Sequence, residues 1–214
     1  MTTYDDEAPA AHSLSAKGRR RRMSPAERRR QLLDLGLALS RELRPEDVTM
    51  DAVAEAAGVS RGLMFHYFES KQDFQLAILR EQGDEMLALT RPPAGLDDPA
   101  EIAAAALAAY VEYVEVNPTA YASVLRGALS ADPKMRAVTE ETRAAVARRV
   151  LAFAPAMGIE VTPTVEAAVL GWIAFVEDVM TRWIADPVMS RDQVLALITS
   201  SLLALAGAAA SVDA

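Results

Sequence analysis

The chain has 214 residues, about half of them apolar, and is therefore long enough to bury one large core or two small ones. It contains no cysteine and only two histidines, 54 positions apart, so disulfides, cysteine nucleophiles and thiolate or histidine metal clusters are not expected, and no cofactor is predicted. The net charge of −8 argues, taken alone, against a nucleic-acid partner.

The charge, however, is unevenly distributed along the chain. Residues 17–80 carry 13 Lys and Arg against 9 Asp and Glu, whereas residues 81–214 carry 9 against 18. Eight of the basic residues lie within 17–30. This asymmetry indicates that the first part of the chain meets a polyanion and that the second part does not.

No apolar run reaches the roughly 18 uninterrupted residues that a membrane span requires. The longest candidate, 194–210, contains three hydroxyl residues at 199–201 and is predicted to be a buried helix instead. The acidic residues 5–7 leave the N-terminus without the apolar core of a signal peptide. We expect a soluble cytoplasmic protein with no membrane partner.

The N-terminal part begins with a segment, 1–16, that lacks periodicity and is predicted to be a flexible tail, followed by a basic arm at 17–22. Ser24 then begins the first helix, because it can cap the helix, Pro25 suits the first helical position and Glu27 completes a capping box. The helix is expected to end before Pro45, and its apolar face is formed by Leu32, Leu33, Leu35, Leu37 and Leu39.

Two short helices are predicted next. Thr49 caps the first, which runs through Ala57 and ends at Gly58 in a left-handed conformation. Ser60 caps the second only two residues later. Short helices joined by a glycine-containing turn of this length are typical of a helix-turn-helix motif.

A fourth helix is expected from Ser70 to about Thr90, and the segment 91–95, Arg-Pro-Pro-Ala-Gly, marks the clearest break in the chain. Repeated capping patterns divide the remainder into helices near 99–116, 118–129, 133–154, 163–184 and 191–209. No stretch shows strand alternation, so the fold class is all-α. The predicted divisions are the tail at 1–16, a helix-turn-helix domain with its basic arm at 17–80, and a second domain at 81–214.

The segment 49–71 resembles the DNA-binding signature of the TetR/AcrR family of regulators. The matching elements are Val53-Ala54, Ala57-Gly58-Val59-Ser60, Gly62, Tyr67-Phe68 and Ser70-Lys71. The resemblance covers about 24–80, and beyond it only the helical layout is similar. It implies a transcriptional regulator, normally a repressor, with an N-terminal three-helix DNA-binding domain and a C-terminal helical bundle for dimerisation and ligand binding.

In such a motif the second short helix enters the major groove. Met64 and Phe68 are expected to anchor that helix to the core, which leaves its other side toward DNA. The resemblance implies that Tyr67 and Lys71 contact phosphates. The predicted DNA-contacting residues are Arg19, Arg20, Arg21, Arg22, Thr49, Ser60, Arg61, Gly62, Leu63, Phe65, His66, Tyr67 and Lys71.

Several of these assignments have alternatives. Phe65 and Tyr67 are also compatible with core aromatics, His66 with a solvated surface residue, and the arm with a nonspecific tail. The chain also departs from the family pattern, since Leu63 stands where Thr or Ser is common and Phe65 where Tyr is common. Neither side chain donates a hydrogen bond, which favours contacts with thymine methyl groups. The usual glycine before the second helix is replaced by 43–46, Leu-Arg-Pro-Glu.

The second domain is expected to dimerise and to bind a small-molecule effector that the sequence does not identify. Apolar stripes on its last two helices predict a dimer interface at Val176, Val179, Met180, Trp183, Leu195, Ile198, Leu202 and Leu205, the alternative being that they form the core of one chain. Candidate ligand-binding residues are Met86, Tyr113, Tyr121, Leu125, Trp172 and Phe175. An inward-facing carboxylate among Glu112, Glu115, Glu177 and Asp178 would favour a cationic or hydroxyl-bearing ligand.

Two other functions were weighed against a ligand-responsive regulator of double-stranded DNA. An enzyme or metal-bound bundle requires a catalytic or ligand cluster such as paired Glu-x-x-His motifs, which the sequence lacks. An architectural protein would bind DNA nonspecifically through its arginine-rich arm. The high Ala and Arg content hints at a GC-rich bacterial source.

Overall fold

The computed structural model describes residues 23–43, 47–127 and 131–212. Within these ranges the chain forms helices, turns and no strand, which confirms the all-α class. The tail at 1–16, the basic arm with Arg19–Arg22, and residues 44–46 lie outside the described residues. The helices are α1 (Pro25–Glu42), α2 (Met50–Ala57), α3 (Arg61–Tyr67), α4 (Lys71–Leu89), α5 (Pro99–Val116), α6 (Pro118–Arg126), α7 (Pro133–Leu151), α8 (Pro163–Ala185) and α9 (Arg191–Val212).

The helices begin at the positions that the capping residues predicted. At α1 both bonds of the capping box are present, since Ser24 Oγ accepts from the Glu27 N–H at 3.2 Å and Glu27 Oε2 accepts from the Ser24 N–H at 2.7 Å. The ends differ more: α6 ends at Arg126 rather than 129, and α9 continues to Val212 rather than 209. A separate 3-10 turn, Ala154–Met157, follows α7 because Pro155 lacks the N–H that a continuing helix needs.

Two hydrophobic clusters organise the molecule. The first joins α1 to α4 and includes the fully buried Leu32, Val53 and Phe74. The second joins α5, α7, α8 and α9 around Val111 and Met180. Helix α4 contributes to the first cluster and packs along α7, so it crosses the predicted boundary between residues 80 and 81 without a break. The division into domains stays a prediction.

The expectation that the apolar segment 194–210 is a buried helix is wrong. Helix α9 is long and apolar enough to cross a membrane, with a mean hydropathy of 1.9 over its most apolar 18-residue window. Only 17% of that window, however, is buried inside the protein. Val194, Ile198 and Ala209 face inward. The rest of the helix is left largely uncovered, because α9 packs against α8 and α5 along one side.

The predicted dimer stripes also need correction. Val176, Met180, Trp183 and Ile198 are buried in the core of the chain itself, so they have no surface to offer a second copy. The indole N–H of Trp183 donates to the Met189 carbonyl at 2.8 Å, within the same chain. The remaining predicted residues fall into two groups: Val179, Leu195 and Leu202 pack half-buried against this core, and Leu205 is exposed.

Candidate nucleic-acid interface and cavity

The turn between α2 and α3 is fixed by backbone hydrogen bonds. Gly58 has φ +64°, its N–H donates to the Glu55 carbonyl at 3.0 Å, and the Val59 N–H donates to the Ala54 carbonyl at 2.9 Å. This pair of bonds is a Schellman motif, which satisfies the last carbonyls of α2 and redirects the chain. Ser60 Oγ then accepts from the Leu63 N–H at 3.3 Å and begins α3.

Helix α3 is anchored to the protein along one side. Met64 and Phe68 are fully buried, as predicted, and Val59 packs half-buried against the same cluster. The Phe68 ring meets the Phe74 ring edge to face, with centres 4.9 Å apart. These contacts hold α3 rigidly, so its opposite side is presented in one orientation.

That opposite side is open. Arg61, Gly62 and His66 are exposed, and Phe65 is 48% exposed, so the alternative that Phe65 is a core aromatic is wrong. Leu63 is half-buried. Tyr67 is also half-buried and packs against the first cluster, with its ring edge-on to His66 at 5.0 Å. The exposed surface of α3 thus combines a guanidinium, an imidazole and an apolar ring.

Arg61 has a weak partner in the free protein. Its Nε lies 3.2 Å from Asp51 Oδ1, and its guanidinium carbon lies 5.7 Å from the centre of the Phe65 ring. Both charged side chains are more than half exposed, and such a surface ion pair contributes at most about 1 kcal/mol. Arg61 can therefore exchange Asp51 for a phosphate or a base edge at small cost.

Three of the predicted DNA contacts, Thr49, Ser60 and Lys71, lie at helix N-termini, whereas Tyr67, the other predicted phosphate contact, is the last residue of α3. Thr49 Oγ1 accepts from the Ala52 N–H at 3.1 Å, which caps α2, and Ser60 caps α3 in the same way. Lys71 is exposed at the first position of α4. Helix N-termini attract anions because their free N–H groups and their dipole point outward.

Arg29 is a candidate that the sequence analysis missed. It is exposed on α1, and its guanidinium carbon lies 4.9 Å from the centre of the Phe68 ring, at the C-terminal end of α3. This stacking holds the positive charge of Arg29 beside α3. The only sequence signal was the run of three arginines at 28–30, which does not show which of them faces α3.

The second part of the molecule contains a mostly apolar, partly open cavity of about 230 Å³, lined by residues of α4 to α9. Five of the six predicted ligand residues line it: Met86, Tyr113, Tyr121, Leu125 and Trp172. Phe175 does not, because it lies on the outer side of α8, where it is 37% exposed. A ligand role for any of these residues stays a prediction.

A cluster of four polar side chains lies on one wall of this cavity. The hydroxyls of Tyr110 and Tyr121 are 2.5 Å apart, and Arg143 holds Glu177 through contacts of 2.6 to 3.1 Å. Burial raises the pKa of both tyrosines, and the bonds to Glu177 raise the pKa of Arg143. Burial also raises the pKa of Tyr113, on another part of the wall, to about 12.

Glu177 is the one member of the four acidic candidates that faces the cavity. Glu112 is exposed, Glu115 pairs with Arg191 at 3.1 Å, and Asp178 pairs with Arg126 and Arg182 on the surface. Because Glu177 is already paired with Arg143, it does not present a free negative charge to a ligand.

Gln82 on α4 connects the cavity wall to the helix-turn-helix unit. It lines the cavity, its carbonyl accepts from the Tyr113 hydroxyl at 3.3 Å, and its side-chain amide donates to Ser40 Oγ on α1 at 3.0 Å. Ser40 itself is buried. A displacement of α4 would therefore act directly on α1 through the hydrogen bond between Gln82 and Ser40.

Comparison with known proteins agrees with this arrangement. Residues 32–78 match the family model described as bacterial regulatory proteins, tetR family, and residues 99–205 match the tetracyclin repressor-like C-terminal domain. An Escherichia coli HTH-type transcriptional regulator BetI is 30% identical over 103 residues, covering 40% of this chain and 53% of its own. The Serratia proteamaculans protein of the same name is 42% identical over 53 residues, covering 25% and 27%. The chain thus spans about half the length, or less, of these curated relatives.

Solved structures share the fold. A TetR-family transcriptional regulator from Streptomyces coelicolor superposes with a TM-score of 0.77 at 24% identity, covering 88% of this chain and 84% of that one. A TetR/AcrR-family regulator from Thermobifida fusca has a TM-score of 0.54 at 28% identity, covering 82% and 96%. With both family models matched and a helix-turn-helix exposed, the chain belongs to the TetR family of DNA-binding transcriptional regulators.

Proposed function

We propose that this regulator is a homodimeric repressor that leaves a palindromic operator when a small molecule fills its cavity. The proposal that α3 reads DNA rests on its two different sides. Met64 is fully buried on one side, while Arg61, Phe65 and His66 are exposed on the other. A helix held in this way can enter a major groove without refolding. Phosphate contacts at Lys71, Arg29 and the capping residues would fix its register.

The uncovered side of α8 and α9 supports the homodimer. Both helices expose large apolar side chains there, whereas a monomer rarely leaves a contiguous apolar patch open to water. Gly171 and Ala204, also exposed, leave room for a second copy to approach closely. The large exposed residues are Leu170, Phe175, Leu197, Leu203 and Leu205. A second copy covering this surface also accounts for the apolar α9 without a membrane.

A dimer further suits the short recognition helix. Helix α3 has 7 residues, so one copy reads few base pairs. Two copies related by a two-fold axis read half-sites about 34 Å apart, which requires a palindromic site. A two-fold dimer formed through the apolar surface of α8 and α9 would therefore share its symmetry axis with the operator.

The effector would release the protein from its operator by acting on α4. A ligand that binds one arrangement of α4 better than another shifts the population toward it, and the bond between Gln82 and Ser40 passes the shift to α1. The protein would act by binding and not by catalysis, and it would act in the bacterial cytoplasm, where the DNA is.

The test of the DNA-reading part is a selection from random duplex DNA, followed by affinity measurements across a salt series. We expect a palindromic site whose affinity falls steeply with salt. Arg61→Ala should weaken binding by about 1–3 kcal/mol and relax the preference at one position of each half-site. Arg148→Ala, an exposed arginine on α7, is the matched control and should leave the preference unchanged. Failure to enrich any site would reject the proposal.

The architectural alternative is separated by removing residues 1–23. A specific reader keeps its site preference while losing overall affinity, because the basic arm contributes contacts that do not depend on sequence. A nonspecific binder loses its DNA binding with the arm. His66→Ala adds a second control, since it should alter sequence preference while the far-UV circular dichroism stays unchanged.

A further inference from the structure

Two of the three charged side chains that line the cavity, Arg143 and Glu177, form a closed pair, and the third, Arg149, donates to the carbonyls of Thr90 at 3.0 Å and Leu87 at 2.8 Å. Arg143 donates from Nε and Nη2 to the carboxylate of Glu177 at 2.6 to 3.1 Å, and its Nη1 donates to Glu140 at 2.5 Å. The Glu177 side chain is 16% exposed. A ligand with a single charge would have to displace one partner and leave the other buried without compensation, which is costly. A ligand charge placed against this pair is therefore disfavoured, whether the ligand is an anion or a cation.

The tyrosine pair beside it has one unused donor. Tyr110 and Tyr121 share a single hydrogen bond between their hydroxyls, so one of the two O–H groups donates to the other tyrosine and the second has no acceptor among the residues that the structure describes. A phenol is already protonated at neutral pH, and burial raises the pKa of both side chains further. An oxygen atom on a ligand would complete this pair.

Most of the remaining lining is apolar, with Leu125, Val146, Val169 and Trp172 among its members, and the further uncharged polar side chains are those of Gln82, Thr90, Tyr113, Thr139 and Thr142. The volume of about 230 Å³ is near the lower end of small-molecule sites, which run from about 300 Å³ upward. An apolar cavity of about 150 Å³ holds one benzene molecule. The space here therefore suits one ring carrying a short chain, or an alkyl chain of similar bulk.

We infer that the effector is a neutral, mostly apolar molecule that presents one hydrogen-bond-accepting oxygen, of a ketone, ester or alcohol, to the hydroxyls of Tyr110 and Tyr121. This inference rests on the proposed function, because it assigns the chemistry of the ligand to the same cavity. It differs from the cationic ligand, one of the two classes, cationic or hydroxyl-bearing, that an unpaired inward carboxylate would have favoured.

The test compares four probes that share a phenyl group and a four-carbon chain. They are butylbenzene without an acceptor, butyrophenone with a ketone, 4-phenylbutyrate as an anion and 4-phenylbutylamine as a cation. Titration calorimetry on the full-length protein should give the tightest binding for butyrophenone, about fivefold tighter than butylbenzene, as expected for one neutral hydrogen bond. Both charged probes should bind more weakly than the ketone.

Two variants locate the effect. In the double variant Tyr110→Phe/Tyr121→Phe the preference for the ketone over the hydrocarbon should disappear, while butylbenzene binds as before. In Glu177→Gln the guanidinium of Arg143 loses the anionic partner on the cavity wall and keeps Glu140, so 4-phenylbutyrate should bind about tenfold tighter than to the unmodified protein. Thermal unfolding and far-UV circular dichroism establish that each variant is folded.

The inference is overturned if a charged probe binds best, if the ketone preference survives in the double variant, or if none of the four probes binds. These outcomes concern the cavity alone. Operator affinity of the ligand-free protein is measured separately. A protein that binds its operator but none of these probes would therefore reject the inferred ligand class without rejecting the proposal that the protein binds DNA.

Discussion

Gly58 shows how one residue positions the DNA-binding surface. Its φ of +64° lies in the left-handed region, where a Cβ atom crowds the following carbonyl and raises the energy by about 1–2 kcal/mol. The glycine permits the Schellman bonds that end α2, and Ser60 can then begin α3 two residues later. The angle between the two short helices therefore depends on a residue that has no side chain.

Replacing Gly58 with alanine should lower the free energy of unfolding by about 1 kcal/mol, because the left-handed conformation is kept at a cost. The matched control is Gly62→Ala. Gly62 is helical, and a Cβ there would meet no atom closer than Ser60 Oγ at 3.9 Å, so the same chemical change should raise stability by up to about 1 kcal/mol. Urea unfolding at fixed protein concentration measures both. Equal effects of the two substitutions would contradict this account.

Among the elements, α4 connects the helix-turn-helix to the cavity. Its first half packs Phe74 and Ile78 into the first cluster, and its second half brings Gln82 and Met86 to the cavity wall. The approach of α1 to α4 is close because residue 36 is glycine. A Cβ at this position would lie 2.8 Å from Phe74 Cζ and 3.0 Å from Ile78 Cδ1.

Gly36→Ala should therefore destabilise the protein by about 1–3 kcal/mol, since the gain in helix propensity is smaller than the cost of overpacking a fully buried ring. A double-mutant cycle with Phe74→Leu isolates the contact. The shorter side chain should relieve part of the clash, so the two changes should be non-additive by at least about 0.5 kcal/mol in chemical denaturation. Strict additivity would show that the crowding lies elsewhere.

At the scale of the whole molecule, the uncovered surface of α8 and α9 is the place where the proposed dimer would form. Helix α9 is apolar along most of its length, yet one chain buries only a narrow side of it. The proposed dimer would place these side chains against a second copy and hold two recognition helices at a fixed separation. Assembly and operator affinity should then be lost together.

Leu205→Glu and Phe175→Glu each introduce a charge on this surface, at residues that do not line the cavity. Either variant should shift the protein from dimer to monomer in sedimentation velocity and weaken operator binding, because a buried unpaired charge opposes association. Leu89→Glu is the control, since Leu89 is 56% exposed at the end of α4 and should leave the dimer intact. A dimer that survives both substitutions would move the interface elsewhere.

The sequence by itself determined the helix starts, the turn at Gly58 and the anchoring of α3. Capping bonds join residues two to four positions apart, so a local pattern such as Ser24 with Glu27 is sufficient to predict them. The same holds for Met64 and Phe68, which share one side of a short helix because they are four residues apart. The class and the DNA-reading motif follow from these local features.

Only the tertiary structure decided which apolar stripe faces which neighbour. The stripe at Val176 and Met180 was identified correctly as apolar, yet it packs into the chain's own core while α9 remains uncovered. The pairing of Arg143 with Glu177 joins residues 34 positions apart, and that of Tyr110 with Tyr121 joins two helices. Hydrophobic burial is nondirectional, so periodicity shows that a face will be covered but not by what.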